Sequence, residues 1–152
     1  MLDPRPQPLS ATIRRRMKKT LRRDTGPELR LRSLLHHVGL RFRVDAKPLP
    51  ELRTRADLLF RKARVAIFVD GCFWHSCPCH GTWPKNNSAW WKAKLDANKQ
   101  RDARANSSLR ASGWKVVRIW EHEGAERALS RVLRALVPPI KRGLGGSRTG
   151  VA

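Results

Sequence analysis

Apolar positions along the chain mark out seven elements. Leu31, Leu34, Leu35 and Val38 recur at helical spacing between Thr25 and Gly39. The flanks agree with a helix: Thr25 caps, Pro27 suits the first turn, Glu28 completes a capping box with Thr25, and Gly39 supplies the stop. Residues 40–44, LRFRV, alternate apolar and basic as a half-exposed strand does, and the stretch to Arg55, with Pro48 and Pro50, reads as a loop. ADLLF (56–60) and VAIFV (65–69) are joined by a turn at Arg61-Lys62-Ala63 and predict an antiparallel hairpin. A long helix follows from Ser88 to Ser112, ended by Gly113, with Trp91, Leu95, Ala105 and Leu109 facing inward. WKVVRIW (114–120) has apolar residues on both faces, as a strand in a covered sheet does. Residues 123–136 form a last helix with Ala125, Ala128, Leu129, Val132, Leu133 and Leu136 on one side, and Pro138-Pro139 ends it. The order predicts an α/β fold, a small mixed β-sheet flanked by helices. No internal repeat is present.

Composition narrows the class. The 152 residues carry 33 Lys and Arg against 12 Asp and Glu, a net charge of +21. That length fits one domain. No apolar run approaches a membrane span, and the start, MLDPRPQPLS, has no signal-peptide pattern, so a cytoplasmic protein is expected. Such a charge selects polyanions, nucleic acid first. It is concentrated in residues 14–23, where Arg14, Arg15, Arg16, Lys18, Lys19, Arg22 and Arg23 are not interleaved with any acid before Asp24. A cluster of this kind repels itself and orders best on phosphates, so residues 1–23 read as a basic nucleic-acid-contacting arm. The Gly- and Arg-containing segment 138–152 reads as a disordered tail.

The chemistry sits between residues 57 and 79. The three cysteines, Cys72, Cys77 and Cys79, fall within eight residues. Their odd number and the lack of a signal peptide argue against a disulfide framework. With His75 and His80 beside them they form a soft-metal ligand set, zinc by default, whose fourth member the local pattern leaves open. Asp57 begins an apolar strand, and a hairpin 57–69 returns its far end, with Asp70-Gly71-Cys72-Phe73-Trp74-His75, towards Asp57. A carboxylate for a hard cation such as magnesium and an imidazole for proton transfer are what phosphodiester hydrolysis needs.

The run VAIFVDGCFWHSCPCH, with RTRADLLF before it and WWKAKLDANKQRDARANSSLRASGWKVVRIWEHE after it, resembles the very-short-patch repair (Vsr) endonucleases. The likeness covers about residues 14–123. It implies a restriction-endonuclease-like core over residues 24–137, a structural zinc and nicking of double-stranded DNA at T·G mismatches. By the same resemblance, Asp57 and the backbone carbonyl of Val69 hold catalytic Mg2+, and His75 activates the attacking water, leaving a 5′-phosphate and a 3′-hydroxyl. Glu28 corresponds to an acidic residue near that histidine. Zn2+ is held by Cys72, Cys77, Cys79 and, after Trp120-Glu121, His122. Phe73, Trp74 and Met17 correspond to side chains that wedge into the base stack. Unstacking costs about a few kcal/mol and is cheapest at a mismatch, which makes a wedge selective.

Two positions depart from the best-known members, which have threonine at Val69 and histidine at Asp70. The resemblance also implies a nucleoid-associated monomer, working with a cytosine methyltransferase system and repair proteins. Two other readings remain: an endonuclease of the same fold serving a restriction-modification system, and a zinc-stabilised nucleic-acid-binding protein without catalysis.

Overall fold

The computed structural model describes residues 11–12, 15, 23–81 and 84–138. Its elements over residues 23–138 are the helices α1 (Gly26–His37), α2 (Ser88–Ala111) and α3 (Ala125–Leu136) and the strands β1 (Arg43–Ala46), β2 (Ala56–Phe60), β3 (Val65–Asp70) and β4 (Lys115–Trp120). The strands form one sheet in the order β1-β2-β3-β4. The first two pairings are antiparallel, and β3 and β4 are parallel, with Val65 opposite Lys115 and Asp70 opposite Trp120. This is an α/β fold with a small mixed sheet.

Period-two alternation divides the core between the faces of the sheet. Leu58, Phe60, Val65, Ile67 and Ile119 pack with Leu31 and Leu35 of α1 and Ala128 and Val132 of α3. Leu59, Ala66 and Phe68 pack with Leu109 of α2 and Trp114 on the other side. The parallel pairing requires a crossover. It is built from the cysteine segment followed by α2, which carries the chain from the end of β3 to the start of β4. The four inward residues expected on α2, Trp91, Leu95, Ala105 and Leu109, are buried. Among the described residues, no helix is long and apolar enough to cross a membrane.

The starts of β1 and α3 and the cap of α1 differ most from the sequence expectation. The strand expected at 40–44 is formed by Arg43–Ala46 instead. Leu40 and Phe42 are drawn into the core, Phe42 lying edge-on to Phe60 at 5.8 Å, so pairing starts after them. Within β1, Asp45 adopts a left-handed φ of 49° and is held by Arg55 Nε at 2.9 Å and Arg23 Nη1 at 3.2 Å. The last helix begins at Ala125 rather than residue 123. The Glu123 carboxylate there accepts the Trp120 N–H at 3.1 Å and Arg131 Nη1 at 2.5 Å, which ties it to the turn. The capping box of α1 is also altered. Thr25 gives no side-chain cap to the helix; its hydroxyl donates to Glu28 Oε1 at 3.0 Å, and Glu28 Oε2 accepts the Asp24 N–H at 2.8 Å.

Candidate active site and metal centre

The carboxyl ends of β3 and β4 and the start of β2 share one edge of the sheet. The β2–β3 pairing covers Leu58–Phe60 with Val65–Ile67. One step beyond it the Asp57 side chain enters the ladder, Oδ2 accepting the Val69 N–H at 2.6 Å. Asp57 is thereby fixed against the strand carrying Val69. Its pKa is raised to about 7, chiefly by burial and also by the nearby charges of Glu28 and Asp70, while the Val69 N–H and Arg32 oppose. Both neighbouring acids are buried, Glu28 at 3% exposure and Asp70 at 5%.

The two neighbours are neutralised differently from Asp57. Arg32 Nη2 lies 3.1 Å from Glu28 and Nη1 2.6 Å from Asp24. Arg118 Nη1 lies 2.8 and 3.1 Å from the two oxygens of Asp70. Among the described residues no cationic side chain forms an ion pair with Asp57. A buried acid beside two other carboxylates, with no guanidinium of its own, is suited to a divalent cation.

His75 stands on the turn after β3. Its Nδ1 is 2.5 Å from Asp102 Oδ2, and its Nε2 is 3.8 Å from Asp70 Oδ1. Burial disfavours the imidazolium, but the Asp102 hydrogen bond and the charges of Asp70 and Asp102 outweigh burial and the opposing Arg118, so its pKa is raised. Burial likewise works against the Asp102 carboxylate, but His75 and Arg118 more than compensate and its pKa is lowered. Asp102 thus holds the ring by Nδ1 and leaves Nε2 as the nitrogen facing the other acids, an arrangement able to accept a proton from water.

The cysteine segment is a compact knuckle. Cys77 N–H donates to the Cys72 carbonyl at 2.9 Å, and Gly81 N–H to the Cys77 carbonyl at 2.9 Å. A Cβ at Gly81 would lie 2.6 Å from that oxygen, so only glycine permits this closure. Glu121 ties the knuckle to the end of β4, its N–H donating to the Asp70 carbonyl at 2.9 Å and its Oε1 accepting the Cys72 N–H at 2.8 Å. The result brings Cys72, Cys77, His80 and His122 together, with one ligand atom from each within 4.8 Å of the others. The Nδ1 of His122 is 3.1 Å from Cys72 Sγ and 3.7 Å from Cys77 Sγ, and the Nδ1 of His80 is 3.9 Å from Cys77 Sγ. Sulfur and nitrogen bound tetrahedrally to zinc lie about 3.6 Å apart, so the donor set fits such an ion. Burial pushes the Cys72 thiol up to about 11, with Cys77 and Glu121 adding to it. Metal binding must displace that proton.

Comparison with known proteins places this geometry. The family described as DNA mismatch endonuclease Vsr matches residues 10–81. The DNA mismatch endonuclease Vsr of Escherichia coli (strain K12) is 39% identical over 112 residues, covering 73% of this chain and 70% of the relative. The chain belongs to the Vsr family. A type II nicking enzyme of Lentzea aerocolonigenes, V.NaeI, is 41% identical over 133 residues, 86% of this chain and 80% of its own. Another, V.XorIIP of Xanthomonas oryzae pv. oryzae, is 40% identical over 134 residues, 86% of this chain and 96% of its own.

Against this Vsr framework, the fold brings Glu28, Asp57, Val69 and His75 to one edge of the sheet. It places Phe73 and Trp74 half-buried on the knuckle beside Trp91, with the Phe73 ring 5.1 Å from Trp74 and 5.3 Å from Trp91. Cys79, expected as the third zinc ligand, is exposed and lies outside the four-residue group, where His80 stands instead. In a tight turn, adjacent positions differ in the direction of their side chains, so a group that takes His80 in place of Cys79 offers an imidazole where a thiolate was expected. Arg15 is helical and exposed. Met17, Arg14, Arg16, Lys18 and Lys19 lie outside the described residues.

Sequence reading missed Asp102 and Arg118, yet each left a signal. Trp91, Leu95, Asn98, Asp102, Ala105 and Leu109 follow one another at intervals of four and three along α2. Asn98 and Asp102 therefore lie on the inward stripe. Asn98 donates to the Trp74 carbonyl at 3.2 Å, and Asp102 reaches His75. Arg118 shares its strand face with Val116, against α2. Charged residues on a covered face were the pointers.

Two outcomes follow from this site. His80→Ala is expected to lower bound metal per chain and reduce thermal stability, while Cys79→Ala leaves both near wild type; metal analysis with melting curves decides, and the reverse pattern rejects the geometric ligand set. For Asp57, a folded-state pKa above the unfolded value contributes stability that is full below about pH 4 and lost as pH rises to about 7. In the absence of divalent cations, Asp57→Asn is therefore expected to raise Tm by several degrees at pH 8 and to change it little at pH 4. An equal shift at both pH values contradicts the charge-based cause.

Proposed function

We propose that the protein is a strand-specific nicking endonuclease acting on double-stranded DNA at T·G mismatches, in very-short-patch repair. The observation that carries it is the convergence of Asp57, His75 and Asp102 at one sheet edge in a chain of the Vsr family. The restriction-endonuclease-like core is part of the proposal and is supported by the mixed sheet with its acids at the ends of β2 and β3.

In this reading, Asp57 and the Val69 carbonyl hold magnesium. When bound, it supplies charge neutralisation and Lewis-acid polarisation of the scissile phosphate. His75 Nε2 takes a proton from water as the water oxygen forms its bond to phosphorus. The bond from phosphorus to the 3′-oxygen breaks, giving a 5′-phosphate and, after protonation by solvent, a 3′-hydroxyl. Asp102 keeps the imidazole in place and stabilises its protonated form. Zinc on Cys72, Cys77, His80 and His122 is structural, since four protein ligands leave no open position. It fixes the knuckle that presents Phe73, Trp74 and His75. Those two aromatics wedge into the stack beside the mismatch, and the basic arm with Met17 grips the duplex.

The relatives named type II nicking enzymes favour a second reading, in which the same chemistry accompanies a restriction-modification methyltransferase. The readings share the site and differ in sequence context. Nicking of T·G and paired T·A duplexes with magnesium tests the proposal. Wild type is expected to nick the T·G duplex on one strand and spare the paired one. His75→Ala is expected to lose about 10²–10⁴-fold in rate, and Asp57→Asn to lose as much. Equal cutting of both duplexes removes the mismatch reading, and unchanged rates in the variants remove the assigned chemistry.

A further inference from the structure

The acidic edge holds four carboxylates near one another, Glu28, Asp57, Asp70 and Asp102, of which the nuclease reading uses Asp57 and Asp102 directly. Asp70 is the buried acid adjacent to Val69 and, by position alone, a natural second cation ligand. Arg118 occupies it. The guanidinium sits over the Phe68 ring at 4.4 Å, its Nε donates to Asn106 Oδ1 at 2.9 Å, and Nη1 takes both oxygens of Asp70. The remaining nitrogen, Nη2, is 3.6 Å from Asp102 Oδ1. Among the described residues, Arg118 is the basic side chain that meets both acids flanking His75.

An arginine seated in this way cannot leave cheaply. Its fork is planar, always charged and held by stacking and four directed contacts. Asp70 in turn is buried against it, with both carboxylate oxygens on Nη1. We propose, resting on the nuclease reading, that Arg118 is a positioning residue: it withholds Asp70 from the cation and steadies Asp102 against His75, so that Asp57 is left as the carboxylate that binds the metal. Asp70 and Arg118 then act as one neutral unit. Removing the arginine alone releases a second acid beside Asp57, whereas removing both charges together leaves the cation site as it was.

The test is Mn2+ binding to the full chain without DNA, read from loss of the free-ion EPR signal, with nicking of the T·G duplex and melting curves alongside. Arg118→Gln is expected to bind Mn2+ several-fold more tightly than wild type and to nick at least tenfold more slowly, a gain in affinity that a merely structural role would not produce. The double variant Asp70→Asn with Arg118→Gln is expected to return Mn2+ affinity to within about twofold of wild type, while Asp57→Asn abolishes binding. If Arg118→Gln fails to fold, the double variant decides by itself, because its neutral pair replaces the ion pair without stranding a charge. Overturning results are Mn2+ affinity unchanged or weakened in a folded Arg118→Gln, or a double variant that binds as poorly as Asp57→Asn. A wild type that shows the expected binding pattern but nicks no duplex removes the nuclease reading, and leaves the assignment of the cation to Asp57 standing.

Discussion

Buried negative charge at one edge of the sheet constrains most of what surrounds it. Glu28 and Asp70 are nearly inaccessible and Asp57 lies between their fields. An uncompensated ion in such a place costs several kcal/mol, so each acid requires a partner. Arg32 reaches Glu28 from the next turn of α1, and Arg118 reaches Asp70 from the neighbouring parallel strand. The parallel pairing of β3 and β4, with α2 as its crossover, therefore does more than close the sheet: it delivers Arg118 and Asp102 to the acids and to His75. Asp57 alone is met by a backbone N–H rather than a guanidinium.

The knuckle solves a different problem. His75, Phe73 and Trp74 lie on irregular backbone between a strand and a helix, where side chains are poorly fixed. Two thiols and two imidazoles from the knuckle and the turn after β4 converge into a group that could hold an ion there, while Glu121 and the closure at Gly81 hold the backbone itself. A metal clip of this kind would substitute for the apolar burial that so polar a segment lacks. The Cys72–Glu121 and His75–Asp102 hydrogen bonds tie the knuckle to the turn after β4 and to α2.

Much of this was legible beforehand, for physical reasons. Long apolar periodicity gave α2 and its inward residues, and the paired runs around Arg61 gave the β2–β3 hairpin that returns towards Asp57. Leu40 and Phe42 misled because alternation in a short run does not say which residue begins to pair; tertiary packing decided it. A metal-capable Cys and His cluster was legible, but not that His80 rather than Cys79 would fall into the group with Cys72, Cys77 and His122, since their directions depend on a turn that closes only in three dimensions. Asp102 and Arg118 were hidden because their partners are 27 and 48 residues away in sequence, and their meeting depends on the crossover. Most of the basic arm, plain in composition, falls outside the described residues, and its proposed grip on DNA rests on its charge.

In the proposed mechanism, all of these elements bear on which acid would carry the catalytic cation. The most direct measurement is an anomalous-scattering map from a crystal of the protein with Mn2+ on a T·G duplex. The expected result is one peak on the Asp57 carboxylate within bonding distance of the Val69 carbonyl, with Asp70 still paired to Arg118. A peak ligated by Asp70, with Arg118 displaced, would contradict the account.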